Sequence, residues 1–318
     1  MESKTYTKEQ INTMKGNLFK INNNPYLRNM VKGIQVPGHL SRNFHDDYNN
    51  ESHNINSIGS KNLSDYRLDY FRKTLIPWID SVKRLQGLRI LEIGCGTGSS
   101  TVAFAEQGAL VTAIDIDEHI LSNAKERCLS KGLEVDFILL NAAEIKQNLA
   151  NKTFDLVIFM ASLEHMTFEE RIQSLRSGYE ILPTKGLFCI AGSPNRLHFM
   201  DSHTSLIPFF HWLPDELAIQ YSLNSSRMEY KEHMAEIIHD NVSMEQFYRW
   251  GRGISFHEIE LAIKPLKEIK IISDLYSYMR KKNFIYSILC RYTSNFRYER
   301  LLSKLFPVYH PCFFRPYL

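Results

Sequence analysis

Residues 90–99 read ILEIGCGTGS, and this stretch decides the fold of the chain. It lies at the end of the apolar run Leu88–Ile93, which has the composition of a buried parallel strand. Ser99–Gln107 follows as a helix that Gly108 closes. A tight turn from a strand into a helix needs positive φ angles, which glycine adopts without a steric penalty. The missing side chains also let a ligand lie against the backbone. The stretch therefore predicts a strand–turn–helix unit that binds a ligand.

The alternation of strands and helices continues along the next hundred residues. Short apolar runs are separated by helices of about 10–15 residues, a spacing that indicates βαβ units with right-handed crossovers. The sequence therefore predicts an α/β fold with a doubly wound, mostly parallel sheet. The further strands are predicted at Ala109–Ile114, Val135–Leu140, Phe154–Phe159 and Gly186–Ala191, and the helices at Asp117–Ser130 and Phe168–Leu182.

The segments on either side of this core have other compositions. Residues 1–60 are polar and rich in Asn, and Tyr66–Val82 has the spacing of an amphipathic helix interrupted near Pro77. Beyond the core, Phe256–Ile263 is predicted as a helix and Lys267–Ser273 as a sixth strand. We expect four parts. The first two are an N-terminal arm and helical extension (1–85) and a cofactor-binding core (86–195). The other two are an acceptor-binding insertion or lid after the fifth strand (196–265), and the last core strand or strands with basic, aromatic helices (266–318).

Composition excludes several classes of protein. The chain has 318 residues, 44% of them hydrophobic, and a net charge of +3 that singles out no partner. Its five cysteines are scattered without a Cys-x-x-Cys pair, which is typical of reduced thiols in a cytoplasmic protein. We expect no signal peptide and no membrane span. Residues 280–306 are basic and interleaved with aromatic residues, so they suit either peripheral contact with a membrane or a helix docked on the core. With no recognised nucleic-acid-binding module, nucleic acid is not an expected partner.

The residues around the turn indicate the ligand. Gly94, Gly96 and Gly98 are followed by Ser99, so the third glycine of the nicotinamide and flavin fingerprint is missing. A carboxylate at Glu92 would repel phosphates and would suit a cationic ligand. A second acid, at the end of the next strand and about 20 residues past the glycines, occupies the place of a ribose-binding carboxylate. A ligand with a ribose, a cationic amino-acid tail and no phosphate fits, and S-adenosylmethionine is such a ligand.

Three motifs together resemble the class I S-adenosylmethionine-dependent methyltransferases, which are Rossmann-like. They are Glu92-Ile-Gly-Cys-Gly-Thr-Gly98, Ile114-Asp115 and Phe154-Asp-Leu-Val-Ile158, and the resemblance covers residues 86–195. The resemblance implies that Glu92 orders the amino group of the cofactor, that Asp115 holds its ribose and that Met160 lies near its sulfonium. The methionine part would be lined by the loop residues Gly94, Cys95, Gly96, Thr97 and Gly98. The adenine would be surrounded by Ile116, Asn141, Ala142 and Ala143. The product would be S-adenosyl-L-homocysteine.

The candidate catalytic residues follow the fourth strand. Glu164 and His165 lie where the carboxyl ends of the strands face the ligand crevice, and a histidine there can act as a base or position the acceptor. A structural pair is the alternative. His203, in the insertion, is a further candidate base. The spacing of Asp201, His203 and His211 matches no standard metal site, so no metal is predicted.

The leading hypothesis is a methyltransferase that acts on a hydroxyl or amine of a small molecule or sugar. Residues 194–214 are similar to a branch associated with bacterial glycan methyltransferases. The alternatives are an RNA or protein methyltransferase, a non-catalytic partner protein that keeps the cofactor fold, and a nicotinamide-dependent oxidoreductase, against which Ser99 counts. The sequence makes no prediction of the oligomeric state.

Overall fold

A seven-stranded sheet forms the centre of the protein. The computed structural model describes residues 67–201, 203–239, 244–274 and 278, and the backbone of residues 311–314. The strand order is β3-β2-β1-β4-β5-β7-β6. Strands β1 to β5 are parallel, and β7 lies antiparallel between β5 and β6. The strands are β1 (Arg89–Ile93), β2 (Leu110–Asp115), β3 (Asp136–Leu139), β4 (Leu156–Met160), β5 (Leu187–Ala191), β6 (Lys270–Asp274) and β7 (Pro311–Phe314).

Helices cover both faces of the sheet. Because side chains alternate along a strand, Ile90 packs into a hydrophobic cluster on one face and its neighbour Leu91 into a second cluster on the other. The first cluster includes residues of α1, α2 and α3, and the second includes residues of α4, α5 and α9. The helices are α1 (Ile76–Val82), α2 (Ser99–Ala105), α3 (Glu118–Leu129), α4 (Ile145–Asn148), α5 (Phe168–Glu180), α6 (Asp215–Tyr221), α7 (Met228–His239), α8 (Met244–Arg249) and α9 (Phe256–Ala262).

This architecture confirms the predicted fold class, with differences at the ends of the elements. The predicted strands begin one to three residues early. The first helix is irregular as expected, because the turn Phe71–Leu75 is π-helical and leads into α1. Pro77 has no N–H to donate to that turn, which accounts for the widening. Strand β7 was not predicted, and α4 was not predicted either. The expectations for residues 1–60 and 280–306 lie outside the described residues.

The strand order places a switch point at the centre of the sheet. From β1 the chain proceeds to β2 and β3 on one side and then returns to β4 on the other. Crossovers therefore leave in opposite directions at β1 and β4, and a crevice opens at their carboxyl ends. The glycine loop follows β1 at this edge, and Ser162, Glu164 and His165 follow β4.

The long segment between β5 and β6 has its own hydrophobic core. Helices α6, α7 and α8 pack around Phe210, Tyr230 and Phe247, all of which are buried. The guanidinium of Arg252 lies 5.2 Å from the ring centroid of Phe210 and 5.3 Å from that of Phe247. We call residues 196–253 the lid. No helix in the described part of the chain combines the length and the apolar character that crossing a bilayer requires.

Arg171 of α5 joins the lid to the core. Its buried guanidinium donates hydrogen bonds to the carbonyl oxygens of Glu164 (3.1 Å) and Met166 (3.0 Å), in the loop after β4. It also donates to the carbonyl oxygens of Arg252 (2.9 Å) and Gly253 (3.4 Å), at the end of the lid. Arg171 thus bridges the β4 loop and the lid, which are also joined by the amide of Arg252 on the carbonyl oxygen of Glu164. The guanidinium of Arg249 in the lid adds a bond to Glu170 of α5.

Candidate functional site

The glycine loop turns at the carboxyl end of β1. The amides of Gly94 and Cys95 both donate to the carbonyl oxygen of Ile114 in β2, at 2.9 and 3.2 Å. A Cβ at Gly94 would lie 2.3 Å from Cβ of Ser162, and one at Gly98 would lie 2.9 Å from Ala124. A Cβ at Gly96 would meet nothing within 4 Å. Gly94 and Gly98 are therefore required by packing, whereas Gly96 lines open space in the crevice.

This difference predicts separate effects for two substitutions. Gly96 has a φ of +51°, so Gly96→Ala is expected to cost about 1 kcal/mol of stability from backbone strain. It is also expected to weaken cofactor binding, since the new methyl group would occupy the ligand's space. Gly98→Ala is expected to destabilise the protein more, because its Cβ would overlap the backbone of α3. Thermal unfolding and S-adenosylhomocysteine titration of both variants test this, and an unaltered affinity in Gly96→Ala would contradict it.

Asp115 faces the glycine loop from the end of β2. Its Oδ2 accepts a hydrogen bond from the amide of Gly96 at 3.0 Å, and its Oδ1 accepts from the amide of Asp117 at 3.1 Å. Burial raises the pKa of Asp115 above its ordinary value, although these amides oppose the shift. Helix α3 does not depend on Asp115 for its cap, since Asp117 accepts hydrogen bonds from the amides of His119 and Ile120. A carboxylate that is not needed as a helix cap is therefore available at the crevice.

Glu92 lies beneath the loop and is completely buried. Its carboxylate accepts hydrogen bonds from the hydroxyl groups of Ser100 and Thr101 at the start of α2, the second at 2.6 Å. Burial raises the pKa of Glu92 to about 7, and the two hydroxyl groups limit that rise. The sequence analysis did not identify the two hydroxyl residues, although the run Ser99-Ser100-Thr101 at a helix start was visible. Glu92 is a charge that a bound cation would stabilise.

The predicted adenine side lies along the same edge. Ile116 is 63% exposed, so its side chain is accessible just beyond β2. Asn141 caps the short turn Ala142–Glu144, since its Oδ1 accepts from the amide of Ala143 at 3.0 Å. The capping role is the simpler of the two interpretations of Asn141. Ala142 is buried and Ala143 is half-buried.

The remaining cofactor candidates differ in exposure. Met160 is buried at the end of β4. Thr97 is half-buried in the loop. Cys95 points into the core, and burial raises the pKa of its thiol. The backbone of Cys95 can thus line the loop, but its thiol is not available there as a nucleophile.

Glu164, His165 and His203 form a cluster beside the loop, although His203 belongs to the lid. Oε1 of Glu164 lies 3.4 Å from Nε2 of His203 and 4.0 Å from Nε2 of His165. The two imidazole ring centroids are 5.7 Å apart. Glu164 and His203 are buried, and the side chain of His165 is 20% exposed. The three candidate catalytic residues are therefore neighbours, and the cluster opens on the side of His165.

The neighbours of Glu164 stabilise its ionised form. Burial alone opposes its ionisation, but the hydrogen bond with His203, the charges of the two histidines and the hydroxyl of Ser193 together lower its pKa to about 2. Ser193, which donates to Oε2 at 2.6 Å, was not singled out as a site residue by the sequence analysis. Burial lowers the pKa of His203, and Glu164 opposes that shift. The cluster is therefore a carboxylate facing two imidazoles.

Asp201 holds the turn that carries His203. Its carboxylate accepts hydrogen bonds from the amides of His203 (3.0 Å), Thr204 (2.9 Å) and Ser205 (2.8 Å). Nε2 of His211 lies 3.2 Å from Oδ1 of Asp201, while Nδ1 of His211 accepts from the amide of Gly253. Burial opposes ionisation of Asp201, yet His211 and the amides hold its pKa far below the usual range. Asp201 and His211 are thus engaged in positioning the lid, and His203 turns towards Glu164 instead.

Comparison with known proteins covers the part of the chain that carries this site. Residues 90–186 match a family model described as a methyltransferase domain. The chain is 38% identical over 91 residues to a ubiquinone biosynthesis O-methyltransferase of Stutzerimonas stutzeri, and 37% identical to that of Dechloromonas aromatica. Each match covers 29% of this chain and 39% of the relative, so the chain spans about two fifths of the relatives' length.

Solved structures with a similar sheet include two methyltransferases. One is the magnesium protoporphyrin IX methyltransferase of Synechocystis, crystallised with S-adenosylmethionine, at 22% identity and a TM-score of 0.36 over 45% of this chain and 65% of that one. The other is an S-adenosylmethionine-dependent methyltransferase of Clostridium acetobutylicum, at 17% identity and a TM-score of 0.38 over 50% and 62%. The motifs agree with the family match, and residues 90–186 of the chain therefore correspond to the domain described as a methyltransferase domain.

Proposed function

We propose that this protein transfers a methyl group from S-adenosylmethionine to a hydroxyl oxygen of a small molecule. One observation carries the proposal. The carboxylate of Asp115 accepts a hydrogen bond from the amide of Gly96, and open space begins where a Cβ of Gly96 would lie, at the switch point of the sheet. A ribose entering that space can replace the Gly96 amide as hydrogen-bond partner of Asp115. Glu92 lies deeper in the same crevice, where its charge suits the cationic tail of the cofactor.

The other cofactor contacts follow from the same placement. Gly94, Gly96 and Gly98, with Cys95 and Thr97 between them, would border the methionine part through their backbone. The exposed side chain of Ile116 would pack on the adenine, with Ala142 and Ala143 on its other side. Covering Ile116 would remove apolar surface from water, at roughly 25 cal/mol per Å². Met160 would lie towards the sulfonium, at the end of β4.

The acceptor side of the site is the cluster of Glu164, His165 and His203. The cofactor supplies a methyl group that is already activated on a sulfonium, so the protein has mainly to position the acceptor and to exclude water. An acceptor hydroxyl must lose its proton as its oxygen is methylated, and His165 is the partly exposed imidazole able to take that proton. Glu164 would hold the resulting imidazolium. The relatives named O-methyltransferases favour oxygen as the acceptor atom.

The lid completes the acceptor pocket in this proposal. It contributes His203 to the cluster and lies against the β4 loop through Arg171. The lid would therefore select the acceptor, and the domain boundaries expected from the sequence carry over as part of the proposal, except that α9 packs with the core. A glycan acceptor remains the finer hypothesis, which rests on the similarity of residues 194–214 to the glycan branch.

Calorimetric titration with S-adenosylhomocysteine tests the proposal. We expect micromolar binding to the wild type, and at least about tenfold weaker binding to Asp115→Ala, which corresponds to about 1.4 kcal/mol. Asp117→Ala is the matched control, because it removes the helix cap and costs about 1 kcal/mol of stability without touching the ligand. Equal loss in both variants would remove Asp115 from the site. A folded wild type without binding would favour the partner-protein hypothesis.

A further inference from the structure

The cluster beside the glycine loop has the composition of a metal site. Oε1 of Glu164, a nitrogen of His165 and a nitrogen of His203 all lie within 4.8 Å of one another. Two imidazoles and one carboxylate suit divalent zinc, iron or cobalt better than magnesium or calcium, which prefer oxygen ligands. Tetrahedral coordination with metal–nitrogen distances of about 2.0–2.1 Å separates neighbouring ligand atoms by roughly 3.3 Å. The observed 3.4 and 4.0 Å from Oε1 to the two Nε2 atoms are close to that separation.

The outer nitrogens of both imidazoles are already committed as donors. Nδ1 of His165 lies 2.7 Å from the carbonyl oxygen of Arg249, which can only accept, so the proton is on Nδ1. The hydroxyl of Thr204 donates to the carbonyl oxygens of Gly251 (3.0 Å) and Trp250 (3.2 Å), which leaves its oxygen to accept from Nδ1 of His203 at 2.8 Å. When such a ring is neutral, with its proton on Nδ1, the lone pair of Nε2 points towards Glu164. Such outer hydrogen bonds are what metal-ligating histidines use to fix their orientation.

The carboxylate in the middle is a further, independent observation. Oε1 of Glu164 is fully buried and has no hydrogen bond of good geometry within residues 67–201, 203–239 and 244–274, whereas Oε2 is satisfied by Ser193. A buried carboxylate oxygen that faces two imidazole nitrogens is costly unless a positive charge lies among them. The surrounding hydrogen bonds therefore favour a positive charge at the centre of the three side chains.

We propose that Glu164, His165 and His203 bind a divalent transition-metal ion whose remaining coordination positions take the acceptor's hydroxyl oxygen. The inference rests on the proposed function and deepens it, because the ion would lower the pKa of the bound hydroxyl and so make the His165 base unnecessary. The metal-bound oxygen would lose its proton to water, form the bond to the methyl carbon, and leave the carbon–sulfur electron pair on sulfur. The products would be the methyl ether, S-adenosylhomocysteine and one proton.

No metal was predicted from the sequence, because the spacing of Asp201, His203 and His211 matches no standard site. Here two ligands come from the β4 loop and one from the lid, so no local spacing could have indicated the set. Of the residues examined, only His203 belongs to it. An ion bound by both parts would also hold the lid against the core.

Titration of the metal-free protein with Co²⁺, followed by its visible absorption, tests the inference. We expect one equivalent of Co²⁺ to bind to the wild type and to be displaced by Zn²⁺. Binding to the variants Glu164→Gln, His165→Gln and His203→Gln is expected to be at least about 100-fold weaker. Loss of even an outer hydrogen-bond partner of a metal ligand lowers metal affinity about 10–100-fold. Glu164→Gln keeps an acceptor for Ser193. The matched control is His257→Gln, which alters an exposed histidine outside the cluster and is expected to leave Co²⁺ binding unchanged.

Two further measurements keep the outcome decisive. Paramagnetic broadening of the imidazole signals of His165 and His203 by Co²⁺ in the wild type needs no variant to fold. Titration of the same preparations with S-adenosylhomocysteine separates the two proposals. Cofactor binding without Co²⁺ binding, or Co²⁺ binding that the three variants leave intact, would overturn the metal site while the methyltransferase proposal stands. A wild type that binds Co²⁺ but not S-adenosylhomocysteine would overturn the methyltransferase proposal while the metal site stands.

Discussion

Replacing Arg252 by alanine is expected to destabilise the lid by about 3–5 kcal/mol, because it breaks a buried ion pair from one side. The guanidinium is 1% exposed and donates to Asp215 at 2.7 and 3.1 Å. It also donates to the carbonyl oxygens of Phe210 (3.1 Å) and Leu213 (2.9 Å). The substitution would remove this donor from the carbonyl oxygens of Phe210 and Leu213, while Asp215 keeps the hydroxyl of Tyr248. It would also leave a gap beside the rings of Phe210 and Phe247, which contact each other edge to face with their centroids 6.3 Å apart.

Tryptophan fluorescence can locate this effect. Trp212 and Trp250 lie in the lid and Trp78 in the core, so single-tryptophan versions report the two parts separately during urea unfolding. Arg72→Ala is the control, because Arg72 pairs with Glu106 on the surface, where such a pair is worth about 0–1 kcal/mol. Equal losses for the two arginine variants would show that Arg252 is not the centre of the lid.

Replacing Glu92 by glutamine is expected to stabilise the cofactor-free protein at pH 8 by up to about 3 kcal/mol. Burial raises the pKa of Glu92 from its ordinary value of 4.5 to about 7. At a pH between these two pKa values, Glu92 is protonated in the native state and ionised in the unfolded state. The stability contributed by the protonated carboxyl is therefore complete below pH 4.5 and is lost as the pH rises through 7. Glutamine does not ionise, so the variant should lack this slope.

The same substitution is expected to weaken cofactor binding at least about tenfold, since the neutral amide cannot stabilise an ammonium group. Urea unfolding at pH 5 and pH 8 measures the first effect, and S-adenosylhomocysteine titration at pH 8 measures the second. Glu106→Gln is a control for a partly exposed carboxyl, whose pKa Arg72 lowers. A wild type and a Glu92→Gln variant with parallel pH dependence would contradict the predicted ionisation.

The core was predictable because its signals are local. The glycine loop, the strand lengths and the alternation with helices all lie within short windows around Glu92, Asp115 and Glu164. The candidate catalytic residues were named, but not their proximity, because His203 reaches Glu164 only through the fold of the lid. Two of the lid helices, α6 and α8, have only seven and six residues, which is too short for a clear period. Helix α7 does bury Tyr230, Met234 and Ile237 at helical spacing, a local signal that the prediction missed. Strand β7 pairs with β5 from a distant segment, which no local pattern indicates.

Arg171 also bears on how acceptor specificity could be exchanged between proteins of this family. Its guanidinium recognises backbone carbonyl oxygens of Glu164, Arg252 and Gly253, so this part of the junction between core and lid does not depend on the side chains of the lid. The lid side chain of Arg249 adds bonds to Glu170 and to the carbonyl oxygen of His165. A foreign lid grafted between Asn195 and Gly253 would keep its anchor provided that the receiving core retains Arg171 and the lid retains a counterpart of Arg249. The chimeric protein could then acquire a new acceptor pocket while its cofactor crevice stayed intact.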